Sequence, residues 1–189
     1  MIKVFFGGSR NVRNLNNELK ARTDKIIAMG YYVLIGDANG ADKALQEYLH
    51  NRKYGRVTVY CMEDNCRNNI GDWETVVVNS EREKKDFAYF SIKDLRMSED
   101  ADYGFMVWDG KSKGTLNNIL NLCERNKRTL VYFLPEKRFY TISKFGNIAE
   151  LLEKCEKDIV RRFDNSIRIT ARIHARQQEL DFNGQEFPL

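Results

Sequence analysis

"YYVLIGDANGADKALQEYLHN", residues 31–51, carries in one stretch the pieces that set the fold. The apolar run from Tyr31 to Ile35 has the length and the aromatic, β-branched content of a buried strand. It ends at Gly36, in a turn with two glycines and two aspartates, and then Ala41, Ala44, Leu45 and Tyr48 or Leu49 recur at the helical period. Strand, glycine turn and helix in that order make half of a βαβ unit, the building block of parallel sheets.

The same order repeats on both sides. "IKVFFGGSR" (2–10) is a strand closed by Gly7 and Gly8, followed by a helix over 14–29 with Leu15, Leu19, Ile26, Ile27 and Met29 inward and Gly30 as its stop. "VTVYCM" (57–62) is a third strand, and residues 79–97 read as a charge-rich helix, with the stretch around Trp73 unassigned. "YGFMVWDG" (103–110) is a fourth strand, "TLNNILNLCERN" (115–126) a helix, and "TLVYFLP" (129–135) a fifth strand closed by Pro135. Parallel strands need crossovers, and the crossovers cover both faces of the sheet. The expected fold is therefore α/β and Rossmann-like, a mostly parallel sheet with helices on both faces, plus a C-terminal helical extension. Residues 1–150 form the Rossmann-like domain in this reading and 151–189 the tail, with one helix over 145–163 and a basic helical portion, "IRITARIHARQQEL", at 167–180.

Bulk properties bound the function loosely. The chain has 189 residues, 42% hydrophobic and 31% charged, with net charge +4, enough for one well-buried core. Its pI near 8.8 is compatible with anionic ligands from a nucleotide to a nucleic acid. Cys61, Cys66, Cys123 and Cys155 match no zinc-binding spacing, so free thiols, a cytoplasmic setting and no metal or cofactor are expected. No signal peptide or membrane-spanning run is visible.

Three turns fall at carboxyl ends of the inferred strands, where open α/β sheets bind ligands: "GGSR", "GDANGAD" and "WDGKSKGT". Gly7, Gly8, Gly110 and Gly114 let backbone N–H groups approach an anion, Ser9, Ser112 and Thr115 add hydroxyls, and Arg10 and Lys111 add positive charge. Gly36 permits close approach, Asp37 suits a ribose hydroxyl, and Asp42 is placed as an N-cap or first-turn acid. Trp108 is either a face on which a base stacks or a buried strand residue. Neither GxGxxG nor GxxxxGK[ST] is present.

The series "FFGGSR" (5–10), "VLIGDANGADKALQEYL" (33–49) and "KDLRMSEDADYGFMVWDGKSKGTLNNI" (93–119) resembles the SLOG superfamily of Rossmann-like proteins, most closely its YspA-type group, over residues 2–135. That superfamily includes the LOG phosphoribohydrolases, which act on nucleoside monophosphates, and the DprA proteins, which bind single-stranded DNA. The resemblance implies a nucleotide-derived ligand held by Gly8, Ser9 and Arg10 in the first loop, by Gly36, Asp37, Gly40 and Asp42 in the second, and by Gly110, Ser112, Gly114 and Thr115 in a phosphate loop. It also favours a homo-oligomer. One departure bears on chemistry: LOG enzymes carry a glutamate three positions after the GT threonine, and here that position is Asn118, which is neither a base nor a nucleophile. A carboxylate elsewhere, Asp37 or Asp109 first and then Asp86 or Asp94, would have to replace it for N-glycosidic cleavage. The leading expectation is thus binding, sensing or sequestration, of a nucleotide-derived small molecule. A nucleoside-monophosphate N-glycosidase and a single-stranded nucleic acid binder, the latter suggested by Arg161, Arg162, Arg168, Arg172 and Arg176, are the alternatives. "QQELDF" (177–182) resembles short clamp-binding peptides at a level expected by chance.

Overall fold

The computed structural model describes residues 1–63 and 66–174. Arg176 and "QQELDF" lie outside them. In chain order the elements are β1 (Lys3–Gly8), α1 (Asn17–Ala28), β2 (Tyr32–Gly36), α2 (Ala41–Asn51), β3 (Val57–Met62), β4 (Glu74–Val78), α3 (Phe87–Asp100), β5 (Tyr103–Trp108), α4 (Lys113–Glu124), β6 (Thr129–Phe133), β7 (Arg138–Ile142), α5 (Phe145–Leu152) and α6 (Lys157–Ile167). The strands form one sheet in the order β4-β3-β2-β1-β5-β6-β7, all parallel except β7. This is the α/β, Rossmann-like architecture the sequence pattern predicts.

Alternation along the strands divides the core in two, because successive side chains leave a strand on opposite faces. Phe5, Leu34 and Met106 meet α3, α4, α5 and α6 on one face. Val4, Phe6, Val33, Ile35 and Val107 meet α1 and α2 on the other. Strand order reverses between β1 and β5, since the chain runs outward from β1 to β4 and returns to β5. Loops leaving β1 and β5 therefore diverge, and a crevice opens between them at the carboxyl edge.

Four expectations are corrected. Two strands join the five predicted: β4, a half-exposed strand at the sheet edge that offers only the three valines Val76–Val78, and β7, which pairs antiparallel with β6 after a turn at Lys137 in the left-handed region. The helix predicted from 79 begins at Phe87, where Asp86 caps it by accepting from the Tyr89 N–H, and it continues to Asp100. The single helix predicted over 145–163 is two, α5 and α6, broken at 153–156. Cys61 and Cys66 are disulfide-bonded and not free thiols, because the chain turns through the left-handed Glu63 and brings their Cα atoms to 5.1 Å.

Ile159, Phe163, Ile167 and Ile169 of the C-terminal extension pack into the α3–α4 core. Arg172 fastens the extension to α4, donating to Glu124 Oε1 at 2.6 Å and to Asn117 and Asn121 at 2.9 Å. Among the described residues no helix is long and apolar enough to cross a membrane.

Candidate functional site

At the crevice lies a cavity of about 500 Å³. Its rim and floor are built from the loops after β1, β2, β3, β4 and β5 and from residues of α2, α3 and α4.

The phosphate loop is ordered from within. Asp109 Oδ1 accepts the Lys111 and Ser112 N–H groups at 2.9 and 2.7 Å, and its Oδ2 accepts from Asn11 at 3.4 Å. Ser112 caps α4, accepting from Thr115 N. Trp108, fully buried against Phe133 and Phe163, donates Nε1–H to the Ser112 carbonyl at 3.0 Å. Of its two sequence readings, buried strand residue is the one observed. The first N–H groups of α4 have no intrahelical acceptor, and a side chain added at Gly114 would meet nothing within 4 Å. An open helix N-terminus thus faces the cavity beside Arg10 and Lys111. Among the described residues the Arg10 guanidinium has no hydrogen bond or ion pair.

Loops one and two interlock. Gly40 has φ +91°, and a Cβ there would lie 2.4 Å from the Arg10 backbone; one on Gly8 would lie 2.5 Å from Ala41 Cβ. These two glycines serve the contact between the loops, which sets Arg10 at the cavity edge. Ser9 is buried beneath, its Oγ accepting from Asp109 N at 3.1 Å and lying 3.5 Å from the Thr115 hydroxyl.

The floor is a buried charge cluster. Asp37 is 2% exposed and receives Arg67 through Nη2, Nε and the backbone N–H at 2.7, 2.9 and 3.1 Å. Burial raises its pKa, but the Arg67 hydrogen bonds and Lys93 charge overcome this and hold it below the usual range. Lys93, 3% exposed, lies 2.8 Å from Asp94 Oδ1 and 3.8 Å from Asp37 Oδ1. Burial works against its charge, and Asp94, Asp42 and Asp37 more than offset it. Asp42 is a first-turn acid of α2 and not its cap, which is Gly40; its carboxylate accepts from Ala38 N–H and lines the cavity. Asn118 is 6% exposed and lines the same cavity, and its Oδ1 has no partner among the described residues. Phe87 and Phe90 form the opposite wall, with Lys113 Nζ 4.0 Å above the Phe87 ring and Arg67 4.9 Å above Phe90.

Of the residues singled out from sequence, Gly8, Arg10, Asp42, Lys111, Ser112, Gly114 and Thr115 border the cavity, as do Asp86, Asp94 and Asp109. Ser9, Gly36, Asp37, Gly40 and Gly110 stand behind that lining and shape it. Sequence reasoning passed over Arg67, Lys93, Phe87 and Phe90. Lys93 left a trace, since Tyr89, Lys93 and Met97 follow each other at four-residue steps and are all buried, which puts a lysine on an apolar stripe. Asp37, Cys61 and Cys66 bring metal-ligand atoms within 4.8 Å of one another. Arg67 occupies both Asp37 oxygens and the sulfurs bond each other, so the group as it stands offers no ligand set.

No protein-family model matches the chain, and no curated protein matches it in sequence. Among solved structures it is similar to DNA processing protein A from Helicobacter pylori, a structure describing that protein's single-stranded DNA binding mode. The two are 17% identical with a TM-score of 0.54, over 88% of this chain and 80% of the other. At that identity the likeness establishes a shared fold.

Proposed function

We propose that the cleft binds a nucleotide or nucleotide-derived small molecule. The observation that carries this is the open N-terminus of α4 at Gly114, with the Asn118 side chain lining the same cavity one turn along the helix. A helix N-terminus favours a phosphate, and a side-chain amide at the cavity wall can hydrogen-bond a sugar hydroxyl or a base edge. Arg10 and Lys111 supply cations at the phosphate end. Phe87 and Phe90 supply an apolar wall for the base. A cavity of about 500 Å³ accommodates a molecule of that size.

Binding without turnover is the favoured form. Asp37 is locked by Arg67, Asp109 is spent on loop N–H groups, and Asn118 stands where the LOG resemblance calls for a glutamate. A second reading, single-stranded nucleic acid, draws on the likeness to DNA processing protein A and on the cations Arg10, Lys111 and Lys113 around the mouth. Salt separates them, because oligonucleotide binding weakens by orders of magnitude between 50 and 200 mM salt when several phosphates are engaged. We expect adenosine 5′-monophosphate to bind, and Arg10→Ala to weaken it by about tenfold or more, the worth of one charge-assisted hydrogen bond, with an unchanged thermal midpoint. Calorimetric titration of both proteins checks this, and equal affinity would remove Arg10 from the site.

A further inference from the structure

Ligand atoms from three places meet where the chain leaves β2 and β3. Gly36 pairs with Tyr60, so the next residues, Asp37 and Cys61, leave neighbouring strands side by side. The turn through Glu63 then brings Cys66 back to them. One Asp37 carboxylate oxygen and the two sulfurs all lie within 4.8 Å of one another. Asp37 and Cys61 are buried, and Cys66 is half-buried.

Spacing along the chain hides this set. Two cysteines alone fall short of a zinc motif, whose remaining ligands come from a second close pair. Here the third ligand comes from a different strand. Bonds of about 2.3 Å to sulfur and about 2.0 Å to oxygen put the ligand atoms of a tetrahedral zinc about 3.5–4 Å from one another. Once the disulfide is open, rotation of the two cysteine side chains reaches that spacing inside the 4.8 Å the three atoms already span.

Charge favours the same metal. A zinc ion with two thiolates and one carboxylate carries a single net negative charge, and Arg67, already bonded to Asp37, cancels it. A carboxylate that binds metal through one oxygen keeps the other for Arg67, the kind of outer-shell hydrogen bond that holds a ligating carboxylate in place. Thiolates select zinc over magnesium or calcium, which take oxygen ligands.

We propose that the Cys61–Cys66 disulfide is the oxidised form of a zinc site, and that on reduction Asp37, Cys61 and Cys66 together bind one zinc ion, with water as the fourth ligand. The reductant is a dithiol. Its two thiols become a disulfide, the electron pair released opens the Cys61–Cys66 bond, and its two protons pass to the freed sulfurs. Zinc then displaces both protons to solvent. A chain with the bond closed has no thiolate to offer, so reduction gates the metal.

The test reduces the full chain with a trialkylphosphine, whose phosphorus takes the oxygen of one water while the two water protons end on the sulfurs. After the reductant is removed under nitrogen, the protein is titrated with zinc, and with cobalt(II) as a spectroscopic stand-in. Reduced wild type should bind one equivalent, with the thiolate-to-cobalt charge-transfer absorption and intense visible bands of a tetrahedral site. The oxidised chain should bind none. Cys66→Ser leaves Cys123 and Cys155 in place on the other face of the sheet. It should bind zinc about a hundredfold more weakly or worse, since loss of an outer-shell partner alone costs about 10–100-fold. Asp37→Asn should keep the charge-transfer band and lose about tenfold or more in affinity.

If the variants fail to fold, wild type still decides. Zinc should raise the thermal midpoint of the reduced chain and leave that of the oxidised chain unchanged. It should also slow alkylation of Cys66, read by mass spectrometry, and leave that of Cys155 unaltered. A reduced wild type that binds no zinc overturns the proposal, as does equal affinity in the oxidised chain or in Cys66→Ser. Wild-type affinity in Asp37→Asn overturns the three-ligand set.

Discussion

Gly114→Asp is expected to abolish nucleotide binding, by about a hundredfold or more, while leaving the protein at least as stable as wild type. The two effects separate because they have different origins. A side chain at Gly114 enters open space, so the fold loses no packing. An aspartate in the first turn of α4 also opposes the helix dipole favourably, a gain of about 0.3–1 kcal/mol. That same carboxylate would stand at the proposed phosphate position, competing for the free N–H groups and repelling the ligand. Affinity measured by calorimetry together with the urea midpoint tests the pair of claims. A variant that binds as wild type does would show that the phosphate sits elsewhere, and one that unfolds would show that the space at Gly114 is not free.

Lys93→Met should cost about 3–5 kcal/mol, the usual penalty for removing one partner of a buried charge pair. Lys93 lies on the buried stripe of α3 with Tyr89 and Met97, and methionine keeps its volume, so the loss is electrostatic. Asp94 loses its ion pair, and Asp37 keeps only Arg67. The direction with pH follows from linkage. Without the lysine the floor carboxylates have raised folded pKa values and keep protons that the unfolded chain has lost, so the deficit grows as pH rises above about 4. Urea denaturation of both proteins at pH 5 and pH 7.5 should show the larger gap at pH 7.5. A gap that is small at both values would mean that Lys93 is not the counter-ion of the floor.

Much of this was legible in the chain itself. Strand, glycine turn and helix recur from residue 2 to 135, and that alternation dictated the parallel sheet, its two covered faces and the crevice at its carboxyl edge. Edge strands escaped because both are half-exposed: β4 offers only the three valines Val76–Val78 after Glu74, and β7 mixes Arg138 and Thr141 with its apolar residues. The site was legible in its loops, which announce themselves through Gly8, Arg10, Ser112 and Gly114. The cations of its floor were not, because Arg67 and Lys93 come from separate segments, the loop after β3 and α3, and acquire meaning only where the fold brings them to Asp37. Glycines in the same turns divide by role in a way that spacing cannot express: Gly8 and Gly40 let the first two loops touch, whereas Gly114 keeps space open. Trp108 shows the same limit, since a tryptophan beside a phosphate loop reads equally as a stacking face or as the buried prop for Ser112 that it is.

The most direct measurement is the amide proton–nitrogen NMR spectrum of the full chain during titration with adenosine 5′-monophosphate. The largest shifts are expected on the Lys113 and Gly114 backbone N–H groups and on the Asn118 side-chain amide, saturating together at one affinity. Shifts confined to residues outside the cleft, or none at millimolar nucleotide, would contradict this expectation.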